Sequence, residues 1–244
     1  MTSNDRLYFR QLLAGKDFAK ADPIAGQMVN FVYLIGDRQT GEAVVVDPAY
    51  GVRELLELAA ADGMKITSAL ATHFHPDHVG GDLVGHPVEG ISELLELQGM
   101  KVHVQRDEAE WVKRMTGVSD GDLEVHDSGD VVHAGEIPIQ LIHTPGHTPG
   151  SQCFLVQGRL VAGDTLFLQG CGRTDLPGGD ARALYLSLTQ KLAHVPDDTI
   201  LFPGHLYGPE GSANLGETRR SNFVFKPKTE AEWLEMFGGG DRSP

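Results

Sequence analysis

Three histidines and one aspartate fall within six residues in the run Thr72-His73-Phe74-His75-Pro76-Asp77-His78. Neutral imidazole and carboxylate are donors that zinc, iron and manganese accept. The run follows an apolar stretch, residues 66–71, so a strand would end in a loop rich in metal donors. Three later residues repeat that placement. His147 lies in Thr144-Pro145-Gly146-His147-Thr148-Pro149-Gly150, after the apolar run 137–142. Asp164 follows the run 159–162 through Gly163, and His205 follows 199–202 through Pro203 and Gly204. In each case an apolar strand meets a Gly or Pro turn and then a donor. Glycine keeps the backbone slim there and allows the following side chain to be aimed inward. Loops gathered at one end of a sheet pair would bring His73, His75, Asp77, His78, His147, Asp164 and His205 to one edge. The pattern predicts a metal centre, and metal chemistry at such a centre activates water and polarises carbonyl groups.

The elements that must position these residues are legible as a β-α-β-α rhythm followed by a strand-rich half. Strands are expected over 29–35 and 43–46, joined by the hairpin loop 36–41. Helical spacing of Val52, Leu55, Leu56, Leu58 and Ala59 predicts a helix over 52–61. Residues 66–71 form the next strand, then a helix over 90–97, a strand over 101–105 and a helix over 106–115. Short strands follow at 131–132, 137–142, 153–156 and 160–162. One amphipathic helix is expected over 180–193, a strand over 199–202, and a last helix over 229–237 with Thr229 as N-cap and Glu232 completing a capping box. Two β-rich halves, each followed by helices, predict an α/β protein with two packed sheets and helices outside. Residues 1–237 read as a single domain and 238–244 as a disordered tail.

Composition excludes several function classes. The chain has 244 residues and a formal net charge of −14. Sequence-independent nucleic-acid binding needs basic surface, so neither nucleic acid nor an anionic membrane is an expected partner. Cys153 and Cys171 are the two cysteines, too few for a disulfide framework and without a C-x-x-C spacing. They read as reduced thiols of a cytoplasmic protein. The first twenty residues carry no apolar signal-peptide core, and no apolar stretch approaches a membrane span. Oligomeric state has no signature in the sequence.

With the cluster His73-x-His75-x-Asp77-His78 and with His147, Asp164 and His205 in order behind it, the chain resembles the metallo-β-lactamase superfamily from Val29 to about Asn222. The resemblance implies an αββα sandwich with the site at the sheet edge. One metal would take His73, His75 and His147, a second Asp77, His78 and His205, and Asp164 would bridge them. Two divalent ions, zinc first with iron or manganese as alternatives, would supply a metal-bound hydroxide, with Asp77 orienting it or carrying its proton. The segment Gly170-Cys171-Gly172-Arg173-Thr174-Asp175 resembles one in glyoxalase II-like thioesterases and in persulfide dioxygenases. Arg173 is then a candidate for a substrate carboxylate, and Tyr207 matches a glutathione-contacting tyrosine. Residues 217–222 resemble a C-terminal segment of the same enzymes, with Phe223 where they carry proline. The expected activity is hydrolysis of a small acyl-thioester of glutathione type, a thiol-derived small molecule. Two alternatives stand. One is a persulfide dioxygenase with a single iron on His73, His147 and Asp164. The other is a non-catalytic metal-binding protein. Arg173 also has a plain alternative, an ion pair with Asp175 that pins its loop. His86, His103, His126, His133, His143 and His194 lie outside the motif and read as ordinary surface or satisfied histidines.

Overall fold

The computed structural model describes residues 6–227 and 229–238. The first sheet joins β1 (Leu7–Leu13), β2 (Phe31–Asp37), β3 (Glu42–Val46), β4 (Lys65–Leu70), β7 (Lys101–Gln105) and β8 (Leu123–His126) in that spatial order. The second runs β14 (Ala213–Asn214), β13 (Ile200–Pro203), β12 (Arg159–Gly163), β11 (Gln152–Val156), β10 (Ile137–His143) and β9 (Val131–Ala134). A small hairpin, β5 (Gly81–Leu83) with β6 (His86–Val88), stands apart.

Period-two side-chain alternation explains the layering. On β3, Val44 and Val46 face the second sheet and pack with Leu70, Ile139, Leu141 and Phe154. Ala43 and Val45 face the other way, against helices. Burial on both faces makes this strand a continuous apolar run. The helices on the first sheet's outer face are α2 (Val52–Ala61), α4 (Ile91–Leu97) and α5 (Ala109–Thr116). α2 turns Val52, Leu55 and Ala59 inward, three residues at helical spacing. On the far face, α6 (Ala181–Leu186), α7 (Leu215–Ser221) and α8 (Glu230–Phe237) cover the second sheet around Leu184, Leu215 and Trp233. The result is the expected αββα sandwich.

Two short helices complete the inventory, α1 (Pro23–Met28) and α3 (Pro76–Val79). Several elements differ from expectation. The helix expected over 180–193 is regular only over α6; Ser187–Lys191 widens to a π-helix and Leu192–His194 tightens to a 3₁₀ turn. Ser187 there turns its hydroxyl onto the Pro145 carbonyl, at 2.7 Å. β1 interrupts its apolar residues with the adjacent pair Arg10-Gln11, which leaves no period-two pattern, and it pairs antiparallel with β2. β8, β14, the β5–β6 hairpin, α1 and α7 were too short to leave a periodic signal. At the C-terminus, the Thr229 hydroxyl accepts from the Glu232 amide, and the Gly238 amide bonds the Leu234 carbonyl. The rest of the expected tail, residues 239–244, lies outside the described residues. Among the described residues, no helix is long and apolar enough to cross a membrane.

Candidate metal centre

All seven predicted donors meet at one edge of the sandwich. β4 ends at Leu70, and the loop behind it carries His73 and His75. Pro76, with its fixed φ and no amide hydrogen to waste, opens α3 and places Asp77 and His78 in its single turn. β10 ends before the loop of His147, β12 before Asp164 and β13 before His205. The Phe31 amide bonds the Gly204 carbonyl at 2.8 Å and the Leu206 amide bonds the Val29 carbonyl at 3.0 Å, so the His205 segment zips onto the start of β2.

The donors form two lobes. In the first, His75 Nδ1 lies 3.1 Å from His73 Nε2 and 3.0 Å from His147 Nε2. In the second, His78 Nε2 and His205 Nε2 are 3.2 Å apart, and Asp77 Oδ2 is 3.5 Å from each. Asp164 stands between them: Oδ2 is 3.7 Å from His147 Nε2 and 3.3 Å from His205 Nε2, and Oδ1 is 3.5 Å from His78 Nε2. Close approach of backbone makes room for that carboxylate. A Cβ on Gly204 would sit 2.2 Å from Asp164 Oδ1, and one on Gly172 2.2 Å from the Asp164 carbonyl and 2.8 Å from the His147 ring.

Surrounding groups fix which imidazole nitrogen faces inward. Thr72 has one hydroxyl proton and gives it to Asp47 Oδ2 at 2.6 Å. Its oxygen, 2.9 Å from His73 Nδ1, therefore accepts from that nitrogen and leaves Nε2 a lone pair. Asp47 Oδ2 also faces His78 Nδ1 at 2.9 Å. The Arg173 carbonyl holds His147 Nδ1 at 2.7 Å and the Met28 carbonyl holds His205 Nδ1 at 2.8 Å. This is the outer-sphere arrangement that orients metal-binding histidines. Asn30 donates to Asp77 Oδ2 at 3.0 Å.

Electrostatics match two chemically different lobes. Burial, then the neighbouring imidazoles, hold His73 well below the ordinary histidine range and push His75 down to about 4. Burial also opposes charge on His78, but Asp77, Asp164 and Asp47 outweigh it and raise it to about 10. Burial works against an ionised Asp164, yet His205 and His78 keep its carboxyl well below the usual range. Asp164 Oδ1 is buried without a hydrogen-bond partner among the described residues. An orphaned carboxylate oxygen beside the neutral imidazoles of the first lobe fits a cation better than a network of hydrogen bonds, because two imidazole nitrogens with lone pairs cannot donate to one another.

Residues the sequence reading passed over complete the site. Glu108 is 1% exposed and binds no cation among the described residues; Oε1 accepts from the Phe74 amide at 2.7 Å and the Thr148 hydroxyl at 2.8 Å, and Oε2 from the Gly150 amide at 2.6 Å. It thereby ties the loop of His73 and His75 to the loop of His147. Burial pushes its carboxyl up to about 7.

A groove of about 860 Å³ opens over the donors, walled by Phe167, Tyr207 and Phe223. Tyr207 stacks on the His205 ring at 4.8 Å and an angle of 6°. Arg173 lies on the same groove but its guanidinium makes paired bonds to Asp175 at 2.9 and 2.8 Å, both side chains largely exposed.

Known proteins share this plan. A metallo-beta-lactamase superfamily profile matches residues 25–205. The chain is 36% identical over 182 residues to a hydroxyacylglutathione hydrolase of Polaromonas sp., covering 73% of this chain and 62% of that one, so it spans under two thirds of that enzyme. It is 32% identical over 202 residues to the human mitochondrial persulfide dioxygenase ETHE1, covering 79% and 70%. Among solved structures, ETHE1 from Myxococcus xanthus superposes with a TM-score of 0.77 at 30% identity, covering 95% of this chain and 90% of that one. With its two-sheet fold, its seven edge donors and these relatives, the chain belongs to the metallo-beta-lactamase superfamily, in the branch of glyoxalase II and ETHE1.

Proposed function

We propose that the chain is a metal-dependent hydrolase that cleaves thioesters of small thiols, glutathione-type thioesters among them. The observation that carries this reading is the completeness of the second lobe. Asp77, His78 and His205 converge as closely as the three histidines of the first, and Asn30, Asp47 and the Met28 carbonyl hold them there. His73, His75 and His147 would hold one divalent ion, Asp77, His78 and His205 the other, and Asp164 would serve both. Bound there, such ions lower the pKa of water toward neutrality and polarise a carbonyl. Zinc suits the donor set, as do iron and manganese.

The chain's own groups then have definite tasks. Asp77, held by Asn30 on Oδ2, orients the attacking water or takes its proton. The apolar walls of the groove exclude bulk water, which strengthens each electrostatic interaction inside. Arg173 can exchange Asp175 for a substrate carboxylate, because an exposed ion pair is worth only about 0–1 kcal/mol. Tyr207 flanks the acyl-thiol at the mouth. A cytoplasmic setting belongs to the same reading and agrees with two unpaired cysteines.

A second reading, a mononuclear iron persulfide dioxygenase on His73, His147 and Asp164, is favoured by the fuller mutual coverage with the Myxococcus xanthus structure. Metal content and paired assays on protein purified without added metal separate the two. About two ions per chain with thioester turnover supports the hydrolase. One iron per chain with persulfide-dependent oxygen uptake and no thioester turnover overturns it.

A further inference from the structure

We infer that the free edge of the first sheet carries a separate site for one divalent transition-metal ion, built by His103, Glu124 and His126. His103 stands on β7 and the other two on β8, the outermost strand of that sheet. Strand register sets Glu124 opposite His103 and His126 opposite Gln105. Alternation turns Val102 and Val104 to the helical side, which leaves His103 on the opposite face.

The distances are those of donors around one ion. His103 Nδ1 lies 2.8 Å from His126 Nε2. Glu124 Oε2 is 3.8 Å from His103 Nδ1, and Glu124 Oε1 is 4.0 Å from His126 Nε2. Donors that share an ion through bonds of about 2.0–2.2 Å lie at most about 4.4 Å apart. All three pairs fall inside that limit.

The surroundings point the same way. Both imidazole side chains are 11% exposed while Glu124 is 53% exposed, so the site is walled on one side and open to solvent on the other. Asp130 Oδ2 lies 3.6 Å from His126 Nδ1, the nitrogen that faces away from the cluster. At that distance the carboxylate acts on the ring through its charge, which favours a cation on the far side of the imidazole. Two histidines, one carboxylate and an open position suit zinc, nickel or copper. This site is independent of the seven donors of the candidate centre and shares no residue with them.

Zinc titration of the metal-loaded enzyme tests it, with binding read by competition against a chromophoric chelator. One additional equivalent with micromolar affinity is expected. His103→Gln and His126→Gln should lose that equivalent and keep wild-type turnover. Asp130→Asn, which touches no ion, removes a nearby negative charge and should weaken it. Glu124→Gln changes an exposed side chain and decides the matter if a buried-histidine variant fails to fold. No additional equivalent in the wild type, or wild-type affinity in Glu124→Gln and Asp130→Asn, overturns the assignment.

Discussion

Replacing Glu108 by glutamine changes one oxygen for an amide nitrogen and leaves the side chain's shape intact. Three donors now converge on this carboxylate, two on Oε1 and one on Oε2. The cheaper orientation keeps the oxygen on Phe74 and Thr148 and turns the new NH₂ toward the Gly150 amide. That amide then loses its acceptor, and the NH₂ is buried without one. Close packing limits how far the backbone can relieve this, since a Cβ on Gly150 would already lie 2.4 Å from the Glu108 amide. Two buried donors left unpaired cost about 1–3 kcal/mol each, and partial relaxation brings the sum to about 2–4 kcal/mol. For a chain of this size that is a fall in Tm of about 4–16 °C, at about 2–4 °C per kcal/mol. Thermal unfolding of chelator-treated protein isolates the effect from metal binding. The same substitution loosens the link between the loops of His75 and His147, so zinc affinity should drop about ten- to a hundredfold, as for other supporting partners. A Tm change under about 2 °C together with unaltered zinc affinity would show that the three bonds do not hold the two loops.

Three further perturbations have clear expected outcomes. Gly204→Ala places a methyl 2.2 Å from Asp164 Oδ1 and must push that carboxylate aside; thioester kcat/KM should fall by about a hundredfold or more, and full activity would remove Asp164 from the chemistry. Arg173→Ala should move Tm by less than about 4 °C, because its ion pair with Asp175 is exposed; KM should rise for an anionic acyl-thiol and hold for a neutral one, and equal rises would reduce Arg173 to pinning its loop. Chelation should abolish turnover and lower Tm by about 8–16 °C relative to protein at a thousandfold excess of zinc over Kd, where linkage contributes about 4 kcal/mol; superimposable melting curves would mean that the folded state binds no ion.

The seven donors were legible because each follows an apolar strand and a turn, a local pattern that survives translation into one dimension. Asp47 follows β3 and precedes Pro48, so the same rule applied one strand earlier would have found it. Asn30 and Glu108 offered no such cue. Asn30 sits just before β2, and Glu108 lies in a stretch that reads as solvated helix; its burial arises only when the loops of Phe74 and Gly150 close over it. The irregular 187–194 segment was equally hidden, since a π-turn and a 3₁₀ turn preserve the apolar spacing of an α-helix closely enough to mimic one. His103 and His126 are separated by a helix in sequence, and only the pairing of β7 with β8 puts them side by side.

Asp47 touches no substrate-facing surface, yet one of its oxygens takes the Thr72 hydroxyl that backs His73 and faces the ring nitrogen of His78 as well. The two lobes therefore share a single anionic anchor. On the two-ion reading, filling either lobe would alter the hydrogen bonds on that oxygen and so change the affinity of the other, a coupling that a stepwise zinc titration reads. Seen this way, nuclearity is a collective property of the outer sphere, and a change at this one buried carboxylate would uncouple the lobes while every donor remained in place.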